Sequence, residues 1–484
     1  MSIYENSELK TVMGGSQQDE EGERKVPTSS PYMILLSLAL SGAHLAYYMA
    51  IFNPMSYPLF GLVYGMSEDE RMELVGTLFM AFALGGLLGA VAAGKMIEKL
   101  GRWWTLVLVD SLTIVLILLY GIQSKAVLLI IRPISGFCGG CNALASAVMM
   151  EELLPKRISA TGNAVTGAIM NAVIFVAFIQ QNVLTTDDLV EYWRVVLCWP
   201  VLINAFKLVT FLIFVRTDTA KYYISKHHAD LNLDEKLSEI MMTTHRRNEI
   251  QPAVIECKKA HKLTHQAGGG KRPGFAKLFR KDNRRRILAA TTIGVAQQAV
   301  GIAMFTLYST DLFGRLTDHG KLVTFLIACS KMVGGVAGVL TMKFFRRKVN
   351  ALAGLLLQIG SLLGICLAVR YSLNEVVYVL VFLFVFAYST GLGAIFYPFL
   401  AEVQGPIGAS FAGGAMGIAT AVVSKAIPYM FKYLGDVSTI FFFACLGIFF
   451  WFLINCFMIE TKDKPESQFV VEYQTAAYSC WNFK

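Results

Sequence analysis

The sequence predicts an all-α membrane protein, with twelve transmembrane helices in two pseudo-symmetric six-helix bundles. Three observations carry that prediction. First, 55% of the 484 residues are hydrophobic and only 16% are charged, more apolar than a soluble globule requires. Second, the apolar residues fall in twelve runs of bilayer-spanning length: 31–52, 73–94, 104–121, 125–150, 160–183, 195–215, 287–309, 322–343, 349–369, 376–400, 408–431 and 438–458. Third, landmarks recur between the halves. The basic loop EKLGRWW (98–104) returns as FFRRKVN (344–350), and Glu152 of EELLPKR returns as Glu402 of LAEVQGP. The offsets are 245 for Gly101 to Arg346 and 250 for Glu152 to Glu402. Two similar offsets point to one duplicated six-helix unit.

The segments implied are a tail over 1–30, a first bundle over 31–215, a basic linker with short helices over 216–286, a second bundle over 287–458 and a tail over 459–484. The polar N-terminal stretch lacks the apolar core of a signal peptide and is expected to be a disordered cytoplasmic tail. With both termini cytoplasmic, the inner segments hold 32 Lys and Arg and the outer loops 7. That asymmetry sets the orientation. The formal charge of +9 is therefore a topology signal rather than a nucleic-acid footprint. None of the nine cysteines falls in an outer loop, so no disulfide framework is expected. The expected setting is the lipid bilayer, with the plasma membrane preferred over an internal one.

Taken in order, the first run carries His44, Tyr47 and Tyr48. The second holds ALGGLLGAVAAG (83–94), whose small residues at spacing four permit close helix approach. It is followed by Glu98-x-x-Gly101-Arg102. The fourth run buries Arg132 by position, and an intramembrane Arg is a functional hypothesis by default. Its Cys138-Gly-Gly-Cys141 has no second pair or His nearby, so helix packing is expected rather than metal. Glu152-x-x-Pro155 and then Arg157 close that run. Asn171 is a polar candidate in the fifth.

In the linker, DEKLSEIMMTTHRR reads as a surface helix. Cys257, His261 and His265 share one helical face that could hold zinc, though a solvated amphipathic face is the expected reading, with no metal. Gly268-Gly-Gly270-Lys271 lacks the full phosphate-loop pattern, so no nucleotide and no cofactor is expected. RKDNRRR (280–286) suits anionic headgroups.

The seventh run carries adjacent amides, Gln297 and Gln298. Unpaired amides in hydrocarbon are costly, so they should face other helices or a wet cavity. Their donors and acceptors suit a hydroxyl-rich ligand. Gly301, four residues on, leaves room beside Gln297. The eighth run holds Ser330 and Lys331, the tenth holds Tyr397 and Pro398, and Lys425 lies in the outer half of the eleventh.

The stretch QQAVGIAMFTLYST (297–310) resembles the seventh helix of sugar porters, the major-facilitator family that includes the facilitative glucose transporters. Gln297, Gln298, Gly301, Ile302 and Tyr308 match, and Ala303 stands where the family has Asn. STGLGAIFYPFLAE (389–402) resembles its tenth-helix segment, with Tyr397 in place of Trp. RTDTAKYYI (216–224) and Ile459-Glu460-Thr461-Lys462 are similar to its Pro-Glu-Ser-type and terminal Pro-Glu-Thr-Lys motifs. The resemblance spans about 31–462.

The resemblance implies the major-facilitator fold and a solute carried by alternating access, without enzyme activity. It implies a substrate site of Gln297, Gln298, Tyr308 and Tyr397, with Asn171 and Ser330. It implies a cytoplasmic gate of Arg102, Glu152, Arg157, Arg346, Arg347 and Glu402. In proton-coupled sugar porters the first helix has an Asp that takes part in coupling, and LAYY places Tyr48 there. Tyr, with a pKa near 10, is no easily discharged carboxylate. The expected function is therefore facilitated diffusion of a hexose or similar neutral polyhydroxylated solute. Two rivals stand beside it: a carrier of an organic anion with Arg132 or Lys331 as counter-charge, and a sugar receptor that does not transport.

Overall fold

A computed structural model of the chain describes residues 31–226, 233–245, 249–255, 257–258, 281–317, 319–403, 406–462 and 472–473. The first bundle is built of α1 (Pro31–Ala50), α2 (Glu68–Leu100), α3 (Arg102–Leu119), α4 (Lys125–Leu153), α5 (Lys156–Val183) and α6 (Trp193–Phe214). The second begins with α7, which runs in three pieces, Lys281–Ala299, Ile302–Leu307 and Ser309–Thr317. Then come α8 (Gly320–Phe344), α9 (Arg347–Arg370), α10 (Asn374–Thr390 with Leu392–Val403), α11 (Pro406–Leu434) and α12 (Asp436–Phe457). Eleven helices among the described residues are long and apolar enough to span a bilayer. The twelfth predicted run is α7.

Local sequence explains where helices begin and stop. Ser67 and Glu70 form a reciprocal cap at the start of α2, satisfying backbone N–H groups that have no intrahelical partner. Gly101 (φ 91°) separates α2 from α3, a conformation that costs glycine little. Ser124 caps α4 through the Val127 N–H. The α2 and α4 backbones touch through Gly85, Gly89, Gly136 and Gly140, where any added Cβ would strike the facing helix. Cys138 and Cys141 are buried free thiols, and the Cys141 thiol donates to the Gly89 carbonyl. The small-residue stripe thus serves packing, as expected.

The seventh helix departs from expectation. A continuous helix over 287–309 would have put Gly301 on the face of Gln297. Instead Gly301 adopts φ 86° and ends the first piece, and a Cβ there would stand 2.9 Å from Phe443. The glycine supplies a left-handed break rather than space beside an amide.

The linker folds onto the bundle. Ala220–Lys226, Leu233–Met242 and the 249–258 segment share a small apolar cluster that includes Ile224, Leu237, Ile240 and Val254. The Thr244 hydroxyl donates to the Leu153 carbonyl at 2.7 Å, tying that cluster to the end of α4. Cys257 is buried in the cluster, which corrects the solvated-face reading for that residue. His261 and His265 lie outside the described residues. Farther on, the Tyr473 hydroxyl accepts the Ile459 N–H at 3.2 Å and packs with Phe399, Val403 and Met458.

The α2–α3 and α4–α5 turns and the linker share one face of the bundle, the linker face. The α1–α2, α3–α4, α5–α6, α7–α8, α9–α10 and α11–α12 connections share the opposite, far face.

Candidate functional site

Among the described residues, the polar contacts between the two halves gather at the far face. Asn53, fully buried after α1, spends its whole amide across the gap. It donates to the Thr306 carbonyl (3.0 Å) and the Ser309 hydroxyl (2.8 Å), and accepts the Thr310 N–H (3.2 Å). Arg71 of α2 pairs with Asp311 at 2.5 Å, with both side chains under a tenth exposed. Arg315 bridges Glu68 (3.0 Å) and Asp436 (2.8 Å). Toward the rim, Lys432 reaches Asp69 (2.7 Å), while Lys425 reaches Thr77 (2.8 Å) and Tyr429 reaches Glu73 (2.8 Å). The acidic run at the start of α2, Glu68 to Glu73, thus meets basic side chains of the other half. These residues were missed as a site in the sequence. Their signal was that run facing Arg315, Lys425 and Lys432, but pairing across about 240–360 residues leaves no local pattern.

The predicted ligands separate into two groups. Gln297 is 4% exposed, and its amide donates to the Leu392 carbonyl at 2.8 Å. It therefore braces the interruption in α10. Tyr308 is fully buried and donates to the Ser424 carbonyl at 2.7 Å. It packs edge-on against Phe79 and Phe431, inside the far-face seal. Ser330 is buried and donates to the Phe382 carbonyl at 2.7 Å. These three are held by backbone carbonyls of neighbouring helices. Gln298 and Asn171 differ. Both are half-buried, and neither amide has a partner among the described residues. Asn171 of α5 reaches across to α8, its amide nitrogen 2.5 Å from where a Cβ of Gly335 would sit. An unbonded amide at membrane depth has to meet water or a ligand. The side chain of Tyr397 lies outside the described residues.

The first half also encloses charge. Lys207 of α6 pairs with Asp110 of α3 at 2.7 Å and with the Asn142 amide oxygen at 3.0 Å, both charges essentially unexposed. Arg132 is fully buried and donates to the Tyr48 carbonyl at 2.8 Å. Its guanidinium lies 4.4 Å and 4.5 Å from the ring centres of Phe52 and Phe82, so aromatic faces carry part of the charge compensation. The Arg132 head is sealed within the half and is not presented to a solute. His44 sits beside Ser135, with 2.9 Å between ring nitrogen and hydroxyl.

On the linker face, the polar contacts among the described residues run within each half or tie the linker and the 459–462 segment to one half. Arg102 grips Glu152 through two bonds of 2.9 Å, and Thr219 donates to the same carboxylate at 2.7 Å. Asp218 accepts the Trp103 N–H at 3.2 Å. Burial pushes the Asp218 carboxyl above the ordinary carboxylate range, opposed by the Thr219 and Trp103 N–H groups. In the second half, Glu460 accepts the Arg347 and Lys348 N–H groups, each at 3.0 Å, capping α9. Arg346 is exposed at its start. The side chains of Arg157 and Glu402 lie outside the described residues.

Comparison with known proteins gives the family and the fold. The family described as "Sugar (and other) transporter" matches residues 33–472. The chain belongs to that family. As a sugar transporter it is 24% identical over 419 residues to the facilitated glucose transporter member 2 of Gallus gallus, covering 81% of this chain and 74% of that one. It is 23% identical over 492 residues to the facilitated trehalose transporter Tret1 of Polypedilum vanderplanki, covering 95% and 93%. Its fold matches the inward-open xylose transporter XylE from E. coli with a TM-score of 0.73, at 18% identity over 90% of this chain and 98% of that one. The partially occluded inward-open form of XylE matches with a TM-score of 0.70. The chain is thus a multi-pass membrane protein of the major-facilitator fold. Sugar transporters of this family bind and move solutes and are not enzymes.

Proposed function

We propose that the protein carries a hexose or a derivative of one by alternating access, by facilitated diffusion rather than proton symport. The observation that carries this reading is the asymmetry of the faces. The halves are clamped together at the far face, while the linker-face contacts stay inside each half. That is what a carrier open toward the linker needs, with the linker face cytoplasmic as the Lys and Arg distribution implies. Gln298 and Asn171 are the amide ligands, and rocking of one half on the other exchanges access. Arg102, Glu152, Arg157, Arg346, Arg347 and Glu402 remain the residues proposed to close the cytoplasmic side.

Proton coupling finds no support in the site. Tyr48, which stands where the resemblance places the coupling Asp, meets Arg132 through its backbone carbonyl, and aromatic rings flank the guanidinium. Asp110 is the one carboxylate among the fully buried described residues, and Lys207 already holds it. A symporter needs a carboxylate that gains and loses its proton in contact with the pathway.

Purified protein in liposomes preloaded with unlabelled hexose tests this. Labelled hexose should accumulate transiently by counterflow, with no internal alkalinisation and no effect of a protonophore. Sugar-driven proton entry would refute facilitated diffusion. Binding without exchange would favour a receptor.

A further inference from the structure

Among the described residues, Lys331 is the one charge at membrane depth that the fold leaves unanswered. It lies near the middle of α8, and its place on that helix is fixed by its neighbours. Val333, Val336 and Leu340 on the opposite side are exposed, as lipid-facing residues should be. At 3.6 residues per turn, Lys331 lies at the centre of the buried face, in the stripe of Thr324, Ile327, Ala328, Gly335 and Gly338. Thr324, two turns away and about 10 Å along the axis, bonds Ser309 (2.8 Å) and Thr310 (2.9 Å) within the far-face seal. Gly335, one turn the other way, faces the Asn171 amide of the first half. Lys331 therefore sits just inside the closed seal, where the halves meet.

Its described surroundings supply no counter-charge. Lys331 is half-buried, and among the described residues no side chain is bonded or ion-paired to it. The residues beside it on α8 meet neutral groups: Gly335 meets the Asn171 amide of α5, Gly334 meets Ser389 of α10, and Ser330 takes the Phe382 carbonyl of α10. The other buried cations are accounted for: Lys207 by Asp110, Arg71 by Asp311, Arg132 by the Tyr48 carbonyl and its aromatic box. A lone ammonium at mid-bilayer depth is costly. The fold offsets that cost in every comparable case except this one.

Resting on the carrier reading above, we propose that Lys331 is a specificity-determining residue, and that the cargo is an anionic sugar, a hexuronate or aldonate. Its carboxylate pairs with the Lys331 ammonium, and its hydroxyls bond the Asn171 and Gln298 amides. The ammonium donates up to three hydrogen bonds, and a charge-assisted bond to a carboxylate is about twice as strong as a neutral one. The two amides alone would suit a neutral hexose. The ammonium makes the acidic derivative the better fit.

Counterflow in liposomes with labelled glucuronate and labelled glucose, at equal concentrations, tests the proposal. Wild type should exchange glucuronate at least about tenfold better than glucose, a difference of about 1.4 kcal/mol. Lys331→Gln should lose that preference, and Lys331→Arg should keep it. Glucose exchange by wild type that excess glucuronate does not inhibit would overturn the proposal and leave the carrier intact. This arm needs no variant, so misfolding of a substituted protein cannot blur it. No exchange of either sugar by thermally stable wild type would overturn the carrier reading as well.

Discussion

At the far face, α2 reaches α7 and α11 of the other half through Arg71, Glu68, Asp69 and Glu73. At the linker face, Arg102 pairs with Glu152 inside the first half, Asp218 and Thr219 of the linker docked on it bond Trp103 and Glu152, and Arg347 and Lys348 of the second half are capped by Glu460 just after α12. The residue types are alike and the connectivity differs. Ion pairs that cross between halves hold a conformation, because moving the halves breaks them. Ion pairs inside a half brace that half as a rigid body and leave it free to rock. One chain therefore uses the same chemistry as a lock at one end and as a brace at the other.

The sharpest way to break the comparison is at Arg71. Arg71→Ala strands Asp311 in a buried site, and loss of one partner from such a pair costs about 3–5 kcal/mol. That corresponds to at least about a hundredfold shift toward the far-face-open state. Ser309→Cys, labelled from the far side by a membrane-impermeant maleimide, should become correspondingly reactive. Exchanging the charges with Arg71→Asp and Asp311→Arg together should restore protection. Arg102→Ala should act with the opposite sign or not at all on the same thiol. It removes bonds to a charged group worth about 1.5–3 kcal/mol, but from the brace of the first half. Its effect should appear as a lower melting temperature, with Ser309→Cys still protected.

The rim pair Lys432–Asp69 is exposed, and such pairs contribute little. Lys432→Ala should raise far-side labelling by no more than about threefold. That increment should vanish near 1 M salt, where the screening length is about 3 Å. The smallest effect concerns the linker. Burial lowers the pKa of His245 below 6.5, opposed by Glu249 and the Met241 carbonyl. As pH falls below 6.5, the undocked linker binds a proton that the docked linker resists. Docking should then weaken toward acid and stay intact above that range. Hydrogen exchange over residues 237–254 should be faster at pH 5.5 than at 7.5, with α2 and α4 unchanged.

The helices were legible because a bilayer imposes a length and a polarity that a sequence cannot conceal. The glycines of α2 and α4 were legible for the same local reason. What escaped was orientation. Gln297 and Gln298 are adjacent, so helical geometry alone turns them about 100° apart, and nothing in the sequence says which one meets the cavity. The break at Gly301 removed the assumption of one continuous face on which that choice rested. Tyr308 and Ser330 were polar residues in plausible places, yet the carbonyls of Ser424 and Phe382 had first claim on them. Arg132 read as a counter-charge until the rings of Phe52 and Phe82 closed over it. The far-face lock joins residues hundreds of positions apart, and only the folded chain brings them together.

The central claim is that the faces open reciprocally, and paired distances measure it directly. Spin labels at Gln123 and Tyr371 report the far face, and labels at Lys99 and Phe345 report the linker face. Adding Arg71→Ala should lengthen the far-face distance and shorten the linker-face distance together. A far-face distance that grows while the linker-face distance stays fixed, or two distances that do not move, would contradict a rocking carrier locked at one end.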